Sequence, residues 1–156
     1  TTVGSPEKQK LCESWGANLV LDYHSDSLDH DIRAFAPDGI DLWFETLREP
    51  TPDRTIGLMA PRGRIIVIAG RAARPEFPRC PLYVNDLRIG FARFNASPEE
   101  QRDCARTLNV LHENGAWDPN IGRMFPLAEA AAAHQLQEDN TLHGAGTLRG
   151  KIVLEA

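Results

Sequence analysis

The sequence has no paired cysteines, no long apolar run and no surplus of basic charge, and each absence narrows what the chain can do. Its three cysteines, Cys12, Cys80 and Cys104, are odd in number, far apart and without a C-x-x-C pair. That pattern suits a reducing compartment, so a cytoplasmic setting is expected, and it offers no zinc site. The five histidines, at positions 24, 30, 112, 134 and 143, also lack ligand spacing, and no bound metal is expected. No stretch approaches the roughly 20 apolar residues of a membrane span. Residues 1–4 have neither the basic start nor the apolar stretch of a signal peptide. With 17 basic against 22 acidic residues the net charge is −5, which argues against nucleic acid, because phosphate binding needs Lys and Arg in excess on one face. The expected partner is a small molecule.

What is present is an ordinary globular composition, 42% hydrophobic and 25% charged over 156 residues, enough for one domain with a real core. Ser5-Pro6-Glu7 reads as a helix start, with Ser5 as cap, Pro6 at the first helical position and Glu7 at the positive helix end. Leu11, Cys12 and Trp15 share a face of that helix, and Gly16 stops it. A short apolar strand at 18–22 is followed by a helix over 27–36, with Leu28, Ile32 and Phe35 on its buried stripe. Strand 40–45 is nearly continuous in apolar character, as expected where helices cover both faces. A helix then runs from Thr51 to about Ala60. The strand 64–69 is rich in β-branched residues and closed by Gly70. Residues 71–85 read as a connection and 86–91 as one more strand. Ser97-Pro98-Glu99-Glu100 caps a helix to about Asn114. Strand 121–125, an Ala-rich helix over 127–138, an exposed loop over 140–150 and a final strand 151–155 complete the chain. Strands alternating with helices at these lengths imply parallel βαβ units.

Open parallel sheets bind ligands at the carboxyl ends of their strands, here near Gly4, Tyr23, Glu45, Gly70 and beyond Phe91. In a dinucleotide fold the end of the second strand reads the adenosine ribose, and a cation in place of a carboxylate favours a 2′-phosphate. Gly4-Ser5-Pro6-Glu7-Lys8 stands at that point, so Gly4, Ser5 and Lys8 either meet an anion at a helix amino terminus or form an ordinary capped helix. Tyr23 stacks on adenine or is a rim residue. Arg71, Arg74 and Arg79 face a cofactor pyrophosphate or an anionic substrate, or are solvated. Glu45 is buried and functional, or pairs with a nearby Arg. Asn95 bonds a carboxamide or is a turn residue. No nucleophile–base pair and no paired carboxylates emerge, so pattern alone stops at a nucleotide-binding α/β domain.

Several stretches, taken in order, resemble the medium-chain dehydrogenase/reductase superfamily and, within it, the zinc-free NADPH:quinone oxidoreductases related to zeta-crystallin. They are Thr2-Val-Gly-Ser-Pro-Glu-Lys8, Gly16-Ala17 leading to Asp22-Tyr23, Gly39-Ile-Asp-Leu-Trp-Phe-Glu-Thr-Leu47, Pro61-Arg-Gly-Arg-Ile-Ile-Val-Ile-Ala-Gly70, Phe125-Pro-Leu-Ala-Glu-Ala-Ala131 with His134, and Gly150-Lys151-Ile-Val-Leu154. The resemblance implies that Gly4, Ser5 and Lys8 surround the adenosine ribose and its 2′-phosphate, with Tyr23 against the adenosine. It implies that Ile66, Val67, Ile68, Ala69 and Gly70 run under the pyrophosphate and nicotinamide ribose. Ile89, Gly90 and Phe91 then offer backbone groups near the nicotinamide, with Asn95 close by.

The same resemblance implies an α/β, Rossmann-type doubly wound parallel sheet that lacks its first strand and glycine-rich loop. Residues 1–120 are expected to form a partial dinucleotide-binding domain, and 121–156 a segment returning toward a catalytic domain absent here. The implied reaction is hydride transfer from NADPH to a quinone or similar α,β-unsaturated carbonyl, with no catalytic residue identified and no turnover expected from these residues alone. A homodimer through the edge strand near 86–91 is also expected. The rival readings are an enoyl-thioester reductase or zinc-type alcohol dehydrogenase of the same superfamily, and a non-catalytic protein that keeps the fold for binding or assembly.

Overall fold

The structure is a computed structural model that describes residues 1–70, 72–92 and 95–156. Contacts group the chain into two compact units, Thr1–Val20 with Ala96–Ala156, and Leu21–Asn95. These groupings do not coincide with the 120/121 division read from the sequence, because the segments after residue 95 group with the first twenty residues.

In the first unit, strand β1 (Thr2–Val3) leads into helix α1 (Pro6–Ser14), and α5 is Pro98–Glu113. Strand β6 (Ile121–Pro126) pairs in parallel with β7 (Lys151–Glu155), Phe125 opposite Leu154. A 3-10 turn (Leu127–Glu129) and helix α6 (Ala130–Leu142) connect the pair. The Ser97 hydroxyl accepts the Glu100 N–H at 3.2 Å and the Glu100 carboxylate accepts the Ser97 N–H at 2.7 Å, a reciprocal cap that fixes the start of α5. None of the 16 residues of α5 is buried.

In the second unit, β2 (Leu21–Asp22) and α2 (Leu28–Phe35) precede a three-stranded parallel sheet. Its strands are β3 (Ile40–Glu45), β4 (Met59–Val67) and β5 (Arg88–Phe91), in that order, with α3 (Pro52–Gly57) and α4 (Arg79–Val84) in the crossovers. Register rows run Trp43–Ile65–Ile89, Phe44–Ile66–Gly90 and Glu45–Val67–Phe91. The first of these rows faces the helices. Ile56, Met59 and Ile65 form a buried cluster flanked by Trp43, Leu82, Leu87 and Ile89. Leu28, Ile32 and Leu58 form a second cluster against Ile40 and Trp43. On the opposite face Leu42 and Phe44 are 53% and 60% exposed. The parallel α/β architecture is the one expected of a Rossmann-type domain.

Several boundaries differ from the sequence reading. Helix α3 stops at Gly57 and β4 begins at Met59, because Met59 and Ala60 are buried and the Ile40 N–H donates to the Leu58 carbonyl at 2.9 Å, drawing the segment into the sheet. Strand β4 ends at Val67 rather than Ala69, β5 starts at Arg88, and β2 has only two residues. The stretch read as a connection holds α4, whose Pro81 lies in the first turn, where a helix does not need the N–H. Helix α6 continues to Leu142, into the stretch read as a loop. Asn140 stabilises that end, its Nδ2 donating to the Leu136 carbonyl at 2.9 Å and its Oδ1 accepting the Leu148 N–H at 2.7 Å. Phe35, expected on the buried stripe of α2, is 58% exposed, whereas Leu28 and Ile32 are buried.

Candidate functional site

The carboxyl ends of β3, β4 and β5 open into one cleft of about 1130 Å³. Its floor is the last register row of the sheet, Glu45, Val67 and Phe91, and the chain continues along it through Ile68, Ala69 and Gly70. Two backbone bonds hold the row in place: the Ile68 N–H donates to the Glu45 carbonyl at 3.1 Å and the Ala92 N–H to the Val67 carbonyl at 2.8 Å. The connections after β3 and β4 meet at the rim. Gly70 has φ of +78°, and a Cβ there would lie 3.0 Å from the Arg48 carbonyl oxygen and 3.6 Å from Pro50 Cδ. Only glycine takes that backbone conformation without strain while leaving room for the neighbouring loop.

Glu45 is the polar feature of the floor. It is 4% exposed, and its carboxylate accepts the Trp43 Nε1–H at 3.3 Å and the Leu47 N–H at 2.9 Å. Burying a carboxylate is costly unless its oxygens are hydrogen-bonded. Of the two readings of Glu45, no Arg among the described residues pairs with it; its partners are an indole and a backbone amide. The remaining lining is mainly apolar and includes Pro50, Ile56, Ala72, Ala73, Pro75 and Phe77.

The cleft thus brings together Val67, Ile68, Ala69 and Gly70, expected under the pyrophosphate and nicotinamide ribose, with Phe91, expected near the nicotinamide. Ile66 and Gly90 sit one row back on the other face of the sheet, and Ile89 packs against the buried cluster, which leaves its backbone for any ligand contact. Asn95 is exposed and is not part of the lining. Arg74 and Arg79 are exposed and also outside it, while Arg71 lies outside the described residues. Phe77 and Thr55 line the cleft without having been singled out in the sequence. The one signal for Phe77 was an aromatic residue inside a Pro- and Arg-containing connection.

The adenosine-side candidates are described unit by unit. In the first unit, Gly4 precedes the cap of α1, and the Ser5 hydroxyl accepts the Lys8 N–H at 3.4 Å, so Ser5 acts as a helix cap. Hydrogen bonds from its own backbone N–H and from Ser5 hold the Glu7 carboxyl below the usual carboxylate range, aided by the charges of Arg149 and Lys10. Lys8 lies in the first turn, half-buried, with no ion-pair partner among the described residues. In the second unit Tyr23 is 52% exposed, its ring 4.3 Å from that of His24.

Residues 15–154 match the model of the zinc-binding dehydrogenase family. The chain belongs to that family. It lies within the medium-chain dehydrogenase/reductase superfamily, as the sequence resemblance implied. Human quinone oxidoreductase is 30% identical over 154 residues, a match that covers 98% of this chain and 45% of the human protein. A mycobacterial protein solved in complex with NADPH is 25% identical with a TM-score of 0.78, covering all of this chain and 48% of that one. An NAD-dependent alcohol dehydrogenase, 22% identical with a TM-score of 0.79 over 99% of this chain and 43% of its own, shares the fold. The chain therefore spans about 45% of the length of the curated relatives it matches.

Among the described residues no group of three or more His, Cys, Asp or Glu side chains is arranged to hold a metal ion. The residues present do not fit the zinc in the family's description, and no zinc-dependent step is assigned to them. A nicotinamide fits better: the cleft offers a mainly apolar lining, the strand ends and a rim at Gly70, with volume enough for a planar ring and its ribose. No helix among the described residues is long and apolar enough to cross a membrane.

Proposed function

We propose that this chain is the cofactor-binding part of an oxidoreductase that transfers hydride from NADPH to a quinone or a similar α,β-unsaturated carbonyl. The observation that carries the proposal is the cleft at the carboxyl ends of β3–β5, the place where open parallel sheets take their ligands. Family membership supports it, as do a quinone oxidoreductase among the relatives and a structural neighbour complexed with NADPH.

When bound, the dihydronicotinamide supplies the hydride. The chain's own residues bind and orient. Val67, Ile68, Ala69 and Gly70 line the path of the nicotinamide ribose and Phe91 flanks the ring, while the apolar wall excludes water, which strengthens the remaining polar contacts. Lys8 is assigned to the 2′-phosphate of the adenosine ribose, where its ammonium would form a charge-assisted contact. Tyr23, with its exposed ring, is assigned to the adenosine.

The test is a titration of the chain with NADPH, following energy transfer from its three tryptophans to the dihydronicotinamide. Saturable transfer that unlabelled NADP⁺ reverses is expected. Absence of saturation at millimolar NADPH would overturn the proposal.

A further inference from the structure

Glu45 is the acidic member of a register row whose other two residues, Val67 and Phe91, are apolar. Folding alone does not ask for a carboxylate there, because an apolar side chain would fill a buried strand end without taking a charge out of water. Its hydrogen bonds give it another use. One oxygen accepts the Leu47 N–H at 2.9 Å and the other the Trp43 Nε1–H at 3.3 Å. Both partners are donors, the complement of a group that only accepts. The main-chain carbonyl of the same residue accepts the Ile68 N–H at 3.1 Å.

These bonds hold two lining segments at once. Leu47 leads into Arg48, Glu49 and Pro50, and Ile68 leads into Ala69 and Gly70, all of which line the cleft. The two segments meet at the rim, where a Cβ on Gly70 would lie 3.0 Å from the Arg48 carbonyl oxygen. The Leu47 N–H is thus anchored one residue away from that contact. The Ile68 bond belongs to the main chain and survives any substitution, so the side chain of Glu45 governs the Leu47 side. Without the carboxylate, the connection after β3 is free to move off Gly70, and the rim loses its shape.

We infer that Glu45 is a positioning residue for the nicotinamide end of the cofactor, and that it acts by holding Leu47 so that the connection after β3 closes against the 68–70 segment. This inference rests on the function proposed above and deepens it. Glu45 works through its neighbours rather than on the reacting atoms. The adenosine end is assigned to other residues, Lys8 and Tyr23, so the effect of Glu45 is confined to one half of the cofactor. A residue that merely kept the chain folded would affect both halves alike.

The experiment is calorimetric titration of the 156-residue chain with NADPH and with adenosine 2′,5′-bisphosphate, which lacks the nicotinamide half. Glu45→Met keeps the bulk and removes both acceptor oxygens. It should weaken NADPH about three- to tenfold, the range of one hydrogen bond, and leave the bisphosphate unchanged. Glu45→Gln, whose amide oxygen can still accept the Leu47 N–H, should bind NADPH as wild type does. In wild type, the Leu47 amide and Trp43 indole resonances should shift with NADPH and stay in place with the bisphosphate. Unchanged NADPH affinity in Glu45→Met, equal losses of both ligands, or a loss in Glu45→Gln as large as in Glu45→Met would overturn the inference. If Glu45→Met does not fold, the wild-type resonances decide, and their standing still under saturating NADPH overturns it too. Failure of wild type to bind NADPH sinks the proposed function, whereas wild-type binding matched by Glu45→Met sinks the role of Glu45 alone.

Discussion

The indole Nε1–H of Trp43 donates to the buried carboxylate of Glu45 over 3.3 Å, two residues along the same strand. Because the Leu47 N–H fills the other oxygen, this short segment closes its own hydrogen-bonding account inside an apolar cleft. The arrangement fixes where β3 ends and where the connection toward Pro50 leaves the sheet.

Glu45→Ala should therefore destabilise the chain by about 2–4 kcal/mol, since it strands two donors and leaves a gap at a buried position. Trp43→Phe should cost less, because Leu47 still holds the carboxylate. Urea denaturation curves for the two variants provide the comparison, and a Glu45→Ala midpoint indistinguishable from wild type would contradict it.

Lys8→Ala should weaken NADPH roughly tenfold or more, the value of one charge-assisted hydrogen bond, and change NADH little. Competition titrations with the two cofactors report the ratio. Equal losses for both would show that Lys8 does not read the 2′-phosphate.

Two glycines should respond differently to alanine. At Gly39, φ is +93° and a Cβ would overlap the Ala60 backbone, where β3 and β4 converge. At Gly70 the nearest atom to a Cβ is the Arg48 carbonyl oxygen at 3.0 Å, on an exposed connection that has room to shift. Gly70→Ala should cost about 1–2 kcal/mol, near the strain of the left-handed conformation alone, and Gly39→Ala clearly more. Thermal unfolding midpoints rank them, and the reverse order would refute the close approach at Gly39.

Acid should loosen the helix starts. The Glu7 carboxyl is held low by its backbone N–H and the Ser5 hydroxyl, and that of Asp31 by the Ser27 hydroxyl and then His30. A carboxyl with a depressed folded-state pKa contributes stability above its unfolded value and loses it as pH falls through the folded one. Helicity at α1 and α2 should thus hold near neutrality and decline below about pH 4. Carbon-detected NMR titration of the two carboxyls should give midpoints below those of the unfolded chain, and raised midpoints would reverse the sign.

How much of this was legible in the sequence depends on where each residue sits. Strands 40–45 and 151–155 were read to the residue, because each is a short, largely apolar run that follows a glycine, and both signals survive in the amino-acid order. The start of β4 was not, since Met59 and Ala60 are drawn into the sheet by burial that their helix propensity does not foretell. Prolines at 78 and 81 disguised α4 as loop. At the cleft, the strand ends at Glu45, Gly70 and Phe91 followed from topology, and Val67 and Ile68 from the family resemblance. Phe77 and Thr55 are brought in by an irregular connection and a short helix, and periodicity does not mark such positions.

The uncovered face of the β3–β5 sheet has a practical meaning for anyone handling the protein. Strand β3 lies at the sheet margin among the described strands and shows Leu42 and Phe44 to solvent. A margin strand with exposed apolar side chains is a template for unwanted pairing between molecules. Phe44→Lys, at a position outside the cleft lining, should therefore raise solubility without touching the cleft.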